Sequence, residues 1–575
     1  MLDTSTPPAA SPADKPAEKP AETAKIMPIP SGSALPFPSS TETASTEAAR
    51  APTLSGFTGL GLWSFYFLLK LLMAWQEIIG FHPLENLAFA ATLTLPAKTP
   101  LRRRLKLALS IFLATALLYY DSWLPPISRA FATLGLLASF SFDYWLELAG
   151  RVLRWPLIAG LVLTWAAYRW LDRYLRMGTL VVIAMTAMLL RPVLHTNTTE
   201  AAQQATEGKV ATMAQSDDDA LKAFYTQESQ RVVTFTAPPA TAPAFDIVFL
   251  HICSLSWDDL RAAGLDTHPL WQRFDVLMTH FNSAASYSGP AAIRLHRGTC
   301  GQKPHTGLYS PAADSCYLMD NLKQAGFQPN LAMNHDGHFD DFLGVVQNQK
   351  FKVAPMSVAN LPVQLKAFDD TPIYEDFATL NRWLEQRKGN SAERVALYYN
   401  SISLHDGNHY AAAGKGSSID TYKPRLQKLL DDMDRFIDTL EKSGRRVVLA
   451  VIPEHGAAIR GDKMQIAGLR EIPSPAITQV PVGVRVIGPQ LGHSGTVKVD
   501  APTSYLAINQ LVAKLMEAPP FADGSFNPAD YTAALPTTES VSENEDTVIM
   551  VRNGRAMMRQ GKDGWSPYDA GGGSH

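Results

Sequence analysis

Hydrophobic and polar positions divide the chain into blocks of opposite character. Residues 1–52 are rich in Pro, Ala, Ser and Thr, with almost no large apolar residue before Ile26. Such a segment buries too little surface to offset its ordering entropy, so the pattern predicts disorder. It lacks the basic-flanked apolar core and cleavage site of a signal peptide. Residues 53–196 are the reverse and predict a membrane domain. The run FTGLGLWSFYFLLKLLMAWQEIIGF is long enough to cross a bilayer. So are LALSIFLATALLYY with its flanks, WPLIAGLVLTWAAYRWL and GTLVVIAMTAMLLRPVL. HPLENLAFAATLTLP (82–96) is a marginal span carrying Glu85. Residues 127–153 carry Asp143, Glu147 and Arg151 among apolar positions, which predicts a helix lying in the interface. The basic loops KTPLRRRLK (98–106) and YRWLDRYLR (168–176) should both face the cytoplasm. They do so only if 82–96 crosses and 127–153 does not. The result is about five spans, an inside N-terminus, and everything after about residue 196 outside. Lys70 and Glu77 read as snorkelling end residues or as contacts within a membrane complex.

Residues 197–242 are polar and end in TAPPATAPAF, a composition that predicts a tether. The block 243–540 changes pattern again. FDIVFLHIC (245–253), RVALYYNSISLHDGNHY (394–410) and RRVVLAVIPEHG (445–456) open on continuous apolar runs, as expected of strands buried on both faces. Between the last two lies a helical pattern, 422–444, with Leu426, Leu429, Leu430, Met433, Phe436 and Ile437 on one stripe and Gly444 at its end. Strands alternating with helices predict an α/β domain with a mainly parallel central sheet flanked by helices. In the last block, 541–575, TVIMVRNGRAMMRQ carries Asn553-Gly554 between two β-prone runs and predicts a two-residue hairpin at a sheet edge. The final AGGGSH reads as a flexible tail.

Composition changes this picture in two ways. The net charge of −3 over 575 residues gives no reason to expect a nucleic-acid partner. The three cysteines, Cys253, Cys300 and Cys316, all lie in the exported part. Cys300 and Cys316 bracket a turn-rich loop and are expected to pair, in a compartment that is oxidising if the cell is a diderm bacterium; two free thiols are the alternative. Cys253 is then the odd cysteine.

The polar candidates share one kind of place, just beyond the C-terminal ends of buried strands. Cys253 ends the first run, His405 and His409 follow the second, and Glu454 and His455 end the third. In open α/β sheets that edge is where ligands bind. Taken singly, each has an ordinary reading: core packing for the cysteine, solvated loop residues for the others. Taken together, thiolate, carboxylate and imidazole are zinc ligands, and three protein ligands with an open position make a catalytic site. In AASYSGPAAIRLHRGTCG (284–301), Ser288 precedes Gly-Pro and a helical run, so it opens a helix. It could also fill the fourth metal position as an alkoxide, with the helix N–H groups facing a bound anion. The chemistry suggested is a metal-activated serine attacking phosphorus or sulfur.

The stretches HICSLSWDDLRAAGLDTHPLW, FNSAASYSGPAAIRLHRGTCGQ, LHDGNHY and PEHGAAIRGDKMQIAGLREIPSPAITQVPVGV resemble the alkaline phosphatase superfamily. Within it they resemble the phosphoethanolamine transferases, and most closely the BcsG-type cellulose phosphoethanolamine transferases. The resemblance runs from about residue 55 into the C-terminal region. It implies phosphatidylethanolamine as donor, glucose O6 of nascent cellulose as acceptor, and subunits of a cellulose synthase complex as partners. It implies a multi-pass protein of the bacterial inner membrane with a periplasmic catalytic domain. Carried over residue by residue, Cys253, Glu454 and His455 match zinc ligands, and Ser288 matches the nucleophile that carries phosphoethanolamine while held by the metal. Tyr287, His405 and Arg470 match residues around the site, and Cys300 and Cys316 match a disulfide. Cys253 stands where an acidic ligand is more usual, so a single zinc is expected; the thiolate favours zinc over manganese. His405 is the expected general acid, and His405 or His409 the base. Arg470 is expected on the phosphate oxygens, its alternative being a surface pair with Glu471 or Asp462. Asp406 either orients His405 or turns the loop. Trp257, Tyr287, Tyr399 and Tyr410 are candidates for stacking on glucose, with core packing as the alternative. The rival readings are a lipid A-type transferase, which typically carries a threonine nucleophile and more disulfides, and a largely structural subunit of a cellulose synthase complex.

Overall fold

The computed structural model describes residues 59–76, 78–122, 140–152, 155–203, 216–411, 417–521, 524–561 and 564–569. The expected disorder of 1–52, the AGGGSH tail and Glu77 lie outside the described residues.

Seven strands form the central sheet: β1 (Asp246–Ile252), β2 (Val276–Asn282), β3 (Gln328–Met333), β4 (Val395–Ser401), β5 (Val447–Pro453), β6 (Gln479–Ile487) and β7 (Val497–Val499). Their order is β7-β2-β6-β5-β1-β4-β3. All pairings are parallel except those of β6, which runs against β2 and β5. The three apolar runs read as buried strands are β1, β4 and β5, the three central neighbours, and every residue in them is buried. Their continuous hydrophobicity follows from this position. Ile247 and Phe249 point into one core, Val248, Leu250 and Ile252 into the other, the two-residue period of a strand covered on both faces. The helix Tyr422–Lys442 lays the predicted stripe, Leu426 to Ile437, on the second core. The chain leaves it through Gly444 at φ 71°, a left-handed exit that glycine takes without strain.

Register places the chemistry. Ile252 pairs with Ser401 on one side and Pro453 on the other. The three strands therefore end level, and the residues that follow them emerge along one edge.

The N-terminal part is helical: Trp63–Trp75, Pro83–Thr94, Pro100–Tyr120, Phe142–Val152, Trp155–Leu171 and Met177–Gln203. Among the described residues no helix is long and apolar enough to cross a membrane, so the five expected spans are not found there. The run that begins at 57 forms a helix of only 13 residues and 82–96 one of 12, about 20 Å each against a hydrocarbon core of about 30 Å. Pro100–Tyr120 is longer but opens on Arg102, Arg103, Arg104 and Lys106. Lys70 does not snorkel. It is buried, pairs with Asp121 and donates to Asn86 at 2.8 Å. The helix expected in the interface is Phe142–Val152, with Phe142, Trp145 and Leu146 exposed.

Residues 216–242, the described end of the expected tether, hold regular structure. Ser216 caps a helix, Asp217–Glu228, by accepting from Asp219 N at 3.1 Å. Its Ala220, Leu221 and Phe224 pack on Val541, Val548 and Met550. The expected hairpin is present: Thr547–Arg552 pairs antiparallel with Arg555–Gln560, turning through Asn553 and Gly554 at φ 52° and 75°, the two positive values that such a turn requires. It belongs to its own four-stranded sheet with Val541–Glu543 and Ser566–Pro567.

Candidate active site

Cys253 extends β1, its N–H donating to Ser401 O at 2.9 Å. Glu454 extends β5, donating to Ile252 O at 2.8 Å, and Leu255 donates to His455 O at 2.6 Å. The ladder thus continues past the strand ends and fixes the backbone of all three candidate ligands. Cys253 Sγ lies 3.9 Å from His455 Nε2, and Glu454 Oε2 lies 3.8 Å from the same nitrogen. One donor atom from each residue falls within 4.8 Å of the others, and all three side chains are fully buried.

Ser288 is the first residue of the helix Ser288–His296, after Tyr287 at the cap position. Its Oγ is 3.3 Å from Cys253 Sγ and 3.4 Å from His455 Nε2. The four residues expected to converge do so.

Their electrostatics fit a cation. Burial, aided by the Glu454 charge, pushes the Cys253 thiol up to about 12. Burial raises Glu454 to about 7 and drives His455 well below its ordinary value. Glu454 Oε2 is buried with no hydrogen-bond partner, while Oε1 accepts from Asn400 Nδ2 at 2.6 Å. The Nδ1 of His455 is engaged by Gly456 O at 2.8 Å, which leaves Nε2 as the lone-pair nitrogen facing Cys253 and Ser288. A buried carboxylate oxygen left unpaired is costly, and a soft divalent ion would satisfy it together with the thiolate and the imidazole.

Ser288 opens onto a cleft of about 560 Å³, also lined by Tyr287, His405 and Arg470. Arg470 is 7% exposed. It does not make the surface pair set against it. Its guanidinium lies 5.6 Å above the Tyr287 ring and its Nη1 is 3.4 Å from Ser254 Oγ. Glu471 instead accepts from the Tyr287 hydroxyl at 2.5 Å, and Asp462 accepts from the backbone of Met464 and Gln465. The carbonyl of Arg470 is held by Ser286 Oγ at 2.6 Å and Asn544 Nδ2 at 3.1 Å. Arg470 Nε is buried without a partner, a donor left over beside the cleft.

His405 holds its Nδ1 against Asp406 O at 2.7 Å. Burial and the Arg470 charge lower it to about 4, so its imidazole is neutral near pH 7. Asp406 holds His405 through its carbonyl, while its carboxylate pairs with Arg151 at 2.6 Å. His409 sits elsewhere, in a short strand with its Nε2 3.4 Å from Asp370, and does not line the cleft. Of the aromatic candidates, only Tyr287 lines it. Trp257 packs on Trp271, Tyr399 is buried with its hydroxyl on Asp376, and Tyr410 packs on Leu365 and Phe368. The Cys300–Cys316 disulfide is formed.

Several residues escaped the sequence. His335, His338, Phe339 and Phe368 line the cleft, and Asn400 and His251 flank Glu454. His335 follows β3 as Cys253 follows β1, and the same strand-end rule would have found it.

The chain matches two family models, the cellulose biosynthesis protein BcsG C-terminal domain over residues 200–565 and the BcsG N-terminal domain over residues 63–190. It is 40% identical over 561 residues to the cellulose biosynthesis protein BcsG of Salmonella typhimurium, covering 92% of this chain and all of that protein. It is 39% identical over 541 residues to BcsG of Escherichia coli K12, covering 89% of this chain and 96% of that protein. The chain belongs to the BcsG family of cellulose biosynthesis proteins. Among solved structures, an alkaline phosphatase superfamily protein from Vibrio parahaemolyticus aligns over 61% of this BcsG-family chain and 88% of its own, at 14% identity and a TM-score of 0.44.

Proposed function

We propose that this protein transfers phosphoethanolamine from phosphatidylethanolamine to glucose O6 of nascent cellulose through a covalent intermediate on Ser288. The observation that supports this most directly is the position of Ser288 Oγ, 3.3 Å from Cys253 Sγ and 3.4 Å from His455 Nε2, at the floor of an open cleft. Cys253, Glu454 and His455 would hold one zinc ion. Bound there, zinc would favour the deprotonated form of the serine hydroxyl and offset phosphate charge.

In the first step Ser288 Oγ forms a bond to phosphorus and the bond to the diacylglycerol oxygen breaks. The departing oxygen takes up one proton and Ser288 gives one up. We assign that proton to His405, which is neutral at rest and lines the same cleft. In the second step the glucose hydroxyl gives its proton to His405 and its oxygen bonds to phosphorus. The phosphorus–Oγ bond breaks and Ser288 is reprotonated. Arg470 holds non-bridging oxygens through both steps, its planar donors matching the charge that builds there. Tyr287, bonded to Glu471 and lying under Arg470, keeps the guanidinium over the cleft.

We place residues 53–196 at the bacterial inner membrane, with the catalytic domain from 243 in the periplasm and cellulose synthase subunits as neighbours. A donor headgroup is then within reach at the lipid surface. The test is the intact mass of the full chain after incubation with phosphatidylethanolamine. A phosphoethanolamine adduct mapping to Ser288 and discharged by glucan supports the reading. Discharge only to lipid A would make it a lipid A-type transferase. No adduct, with cellulose modification unaltered in Ser288→Ala, would make it a structural subunit.

A further inference from the structure

The helix Phe142–Val152 does more than lie beside the domain. Arg151 donates from Nη1 and Nη2 to the two carboxylate oxygens of Asp406, at 2.7 and 2.6 Å. Tyr144 donates its hydroxyl to Asp406 at 3.1 Å, and Ser418 donates its own at 2.5 Å. Glu147, one turn before Arg151, accepts from Arg151 at 2.5 Å and from Ser418 N at 2.8 Å. The paired side chains are only 8% and 14% exposed.

Both loops that meet this helix carry a cleft residue. Asp406 adjoins His405. Gly468 lies two positions before Arg470, and a Cβ there would fall 2.5 Å from Arg151 Nη1. A Cβ on Gly407 would fall 2.9 Å from the Tyr144 ring. At Gly407 and Gly468 the missing side chains let Tyr144 and Arg151 approach the loop backbone. A second line of contact reinforces the first: Ser141 N donates to Phe368 O at 2.9 Å, and the Phe368 ring stands 5.2 Å from Phe140 and 5.7 Å from His405. None of the helix's described side chains belongs to either of the two main cores, so these contacts govern loop placement rather than the sheet.

We propose that Arg151 and Tyr144 are positioning residues for phosphoryl transfer, through which the helix Phe142–Val152 sets the His405 and Arg470 loops in register across the cleft. This rests on the roles given above to His405 and Arg470. The physical basis is a forked guanidinium–carboxylate pair, which fixes direction as well as distance. Removing the cation leaves the Asp406 carboxylate buried without its partner. The loop then moves to find water, and His405, tied to the Asp406 carbonyl, moves with it.

The test uses the full-length protein and compares wild type, Arg151→Met, Arg151→Lys, His405→Ala and the double variant R151M/H405A. Turnover is measured with phosphatidylethanolamine and glucan, and amide hydrogen exchange is followed in parallel. The expected result for R151M is a fall in kcat of roughly 10- to 100-fold, the cost of a displacement near 1 Å, with KM within about twofold. Arg151→Lys should recover part of the loss. R151M should cost clearly less in the H405A background than in wild type, keeping only the share that acts through the Arg470 loop, whereas a merely structural defect would multiply with it in full. Exchange should quicken at 405–408 and 468–470 while the sheet strands stay protected. Unchanged exchange in those loops overturns the proposal whatever the activity shows, as does a kcat within about twofold of wild type or a multiplicative double variant. If wild type takes up no phosphoethanolamine, the proposed function fails, and the exchange result alone decides whether the helix holds the loops. Should R151M fail to accumulate, Tyr144→Phe, which deletes one hydroxyl bond to Asp406, must show the same loop exchange in weaker form.

Discussion

Ser288 Oγ and Cys253 Sγ lie 3.3 Å apart although 35 positions separate them in sequence. One closes the buried strand β1 and the other opens a helix, so only the folded sheet edge brings them together. If that edge is a zinc site, purified full-length protein should hold one equivalent of zinc. Cys253→Ala should leave the fold intact and lower zinc content several-fold by elemental analysis. Chelation should lower the melting temperature of wild type but not of C253A, because only the former has bound metal to lose. Equal zinc in both proteins would refute the assignment of the thiol.

Arg470 makes a sharper case. Its guanidinium is nearly buried, lies 5.6 Å over the Tyr287 ring, and holds an unpartnered Nε beside the cleft. Arg470→Ala should lower kcat by about 10²–10³-fold, the usual cost of a lost donor to transition-state charge. Arg470→Lys should recover little, since an ammonium neither stacks flat nor forks. Full activity in R470K would mean that charge alone matters and that the contact with Tyr287 is incidental. Loading rates of Ser288, measured by mass at single turnover, separate this from acceptor effects.

The ligand set was legible because burial leaves a signature. β1, β4 and β5 read as continuous apolar runs since both faces of each are covered, and the polar residue that stops such a run must sit at the sheet edge. The direction of β6 was not legible. QVPVGVRVI (479–487) is equally buried whichever way it runs, and only pairing reveals that it is antiparallel to both neighbours.

Two other misses have a common cause. Asp217, Asp218 and Asp219 gave the tether region a polar look, but they occupy the first turn of a helix, where carboxylates are favoured. The apolar stripe behind them is only Ala220, Leu221 and Phe224. Likewise the pattern of 127–153 gives Glu147 and Arg151 no partner, whereas they meet Ser418 and Asp406, more than 250 positions away. Local pattern reports which face is polar, not what that face touches. Hydropathy counts apolar residues along the chain, whereas the first helix stops at Trp75, short of the run that contains it.

Acid should destabilise the protein through its buried histidines. Burial lowers His296 to about 3, and lowers His335 and His405 to about 4. An unfolded chain protonates these groups near pH 6.5, and the folded chain resists until pH 4 or below. Between those values the unfolded state binds more protons, so stability present above pH 6.5 is lost as pH falls, by up to about 1.4 kcal/mol per pH unit for each histidine. Asp259, raised by burial to about 6, works in the opposite sense, so a difference between variants is the clean measurement. His296 stands 4.5 Å from the Tyr398 ring and 5.4 Å from Phe351, with neither nitrogen paired. His296→Phe should therefore fold and should flatten the fall in melting temperature between pH 6.5 and 4. An unchanged slope would show that His296 does not titrate on unfolding.

The disulfide should matter to binding as well as to stability. Cys300 and Cys316 close a loop of 16 residues, and cross-links of that span stabilise by about 3 kcal/mol in the chain-entropy account. Inside the loop lie His305, Thr306 and Tyr309, which form one wall of the cleft. The backbone N–H of His305 is anchored on Glu543 at 2.5 Å, and Arg297 donates to the carbonyls of Leu308 and Ser310 at 2.6 and 2.7 Å, so the wall is held by hydrogen bonds as well as by the covalent link at its ends. Cys300→Ser removes the covalent link and leaves the hydrogen bonds. The melting temperature should drop by several degrees, and KM for the lipid donor should rise more than kcat falls, because the wall shapes binding while Ser288, His405 and Arg470 keep their own supports. A variant that lost kcat at unchanged KM would place the loop in the chemical step and remove the distinction between wall and catalytic edge.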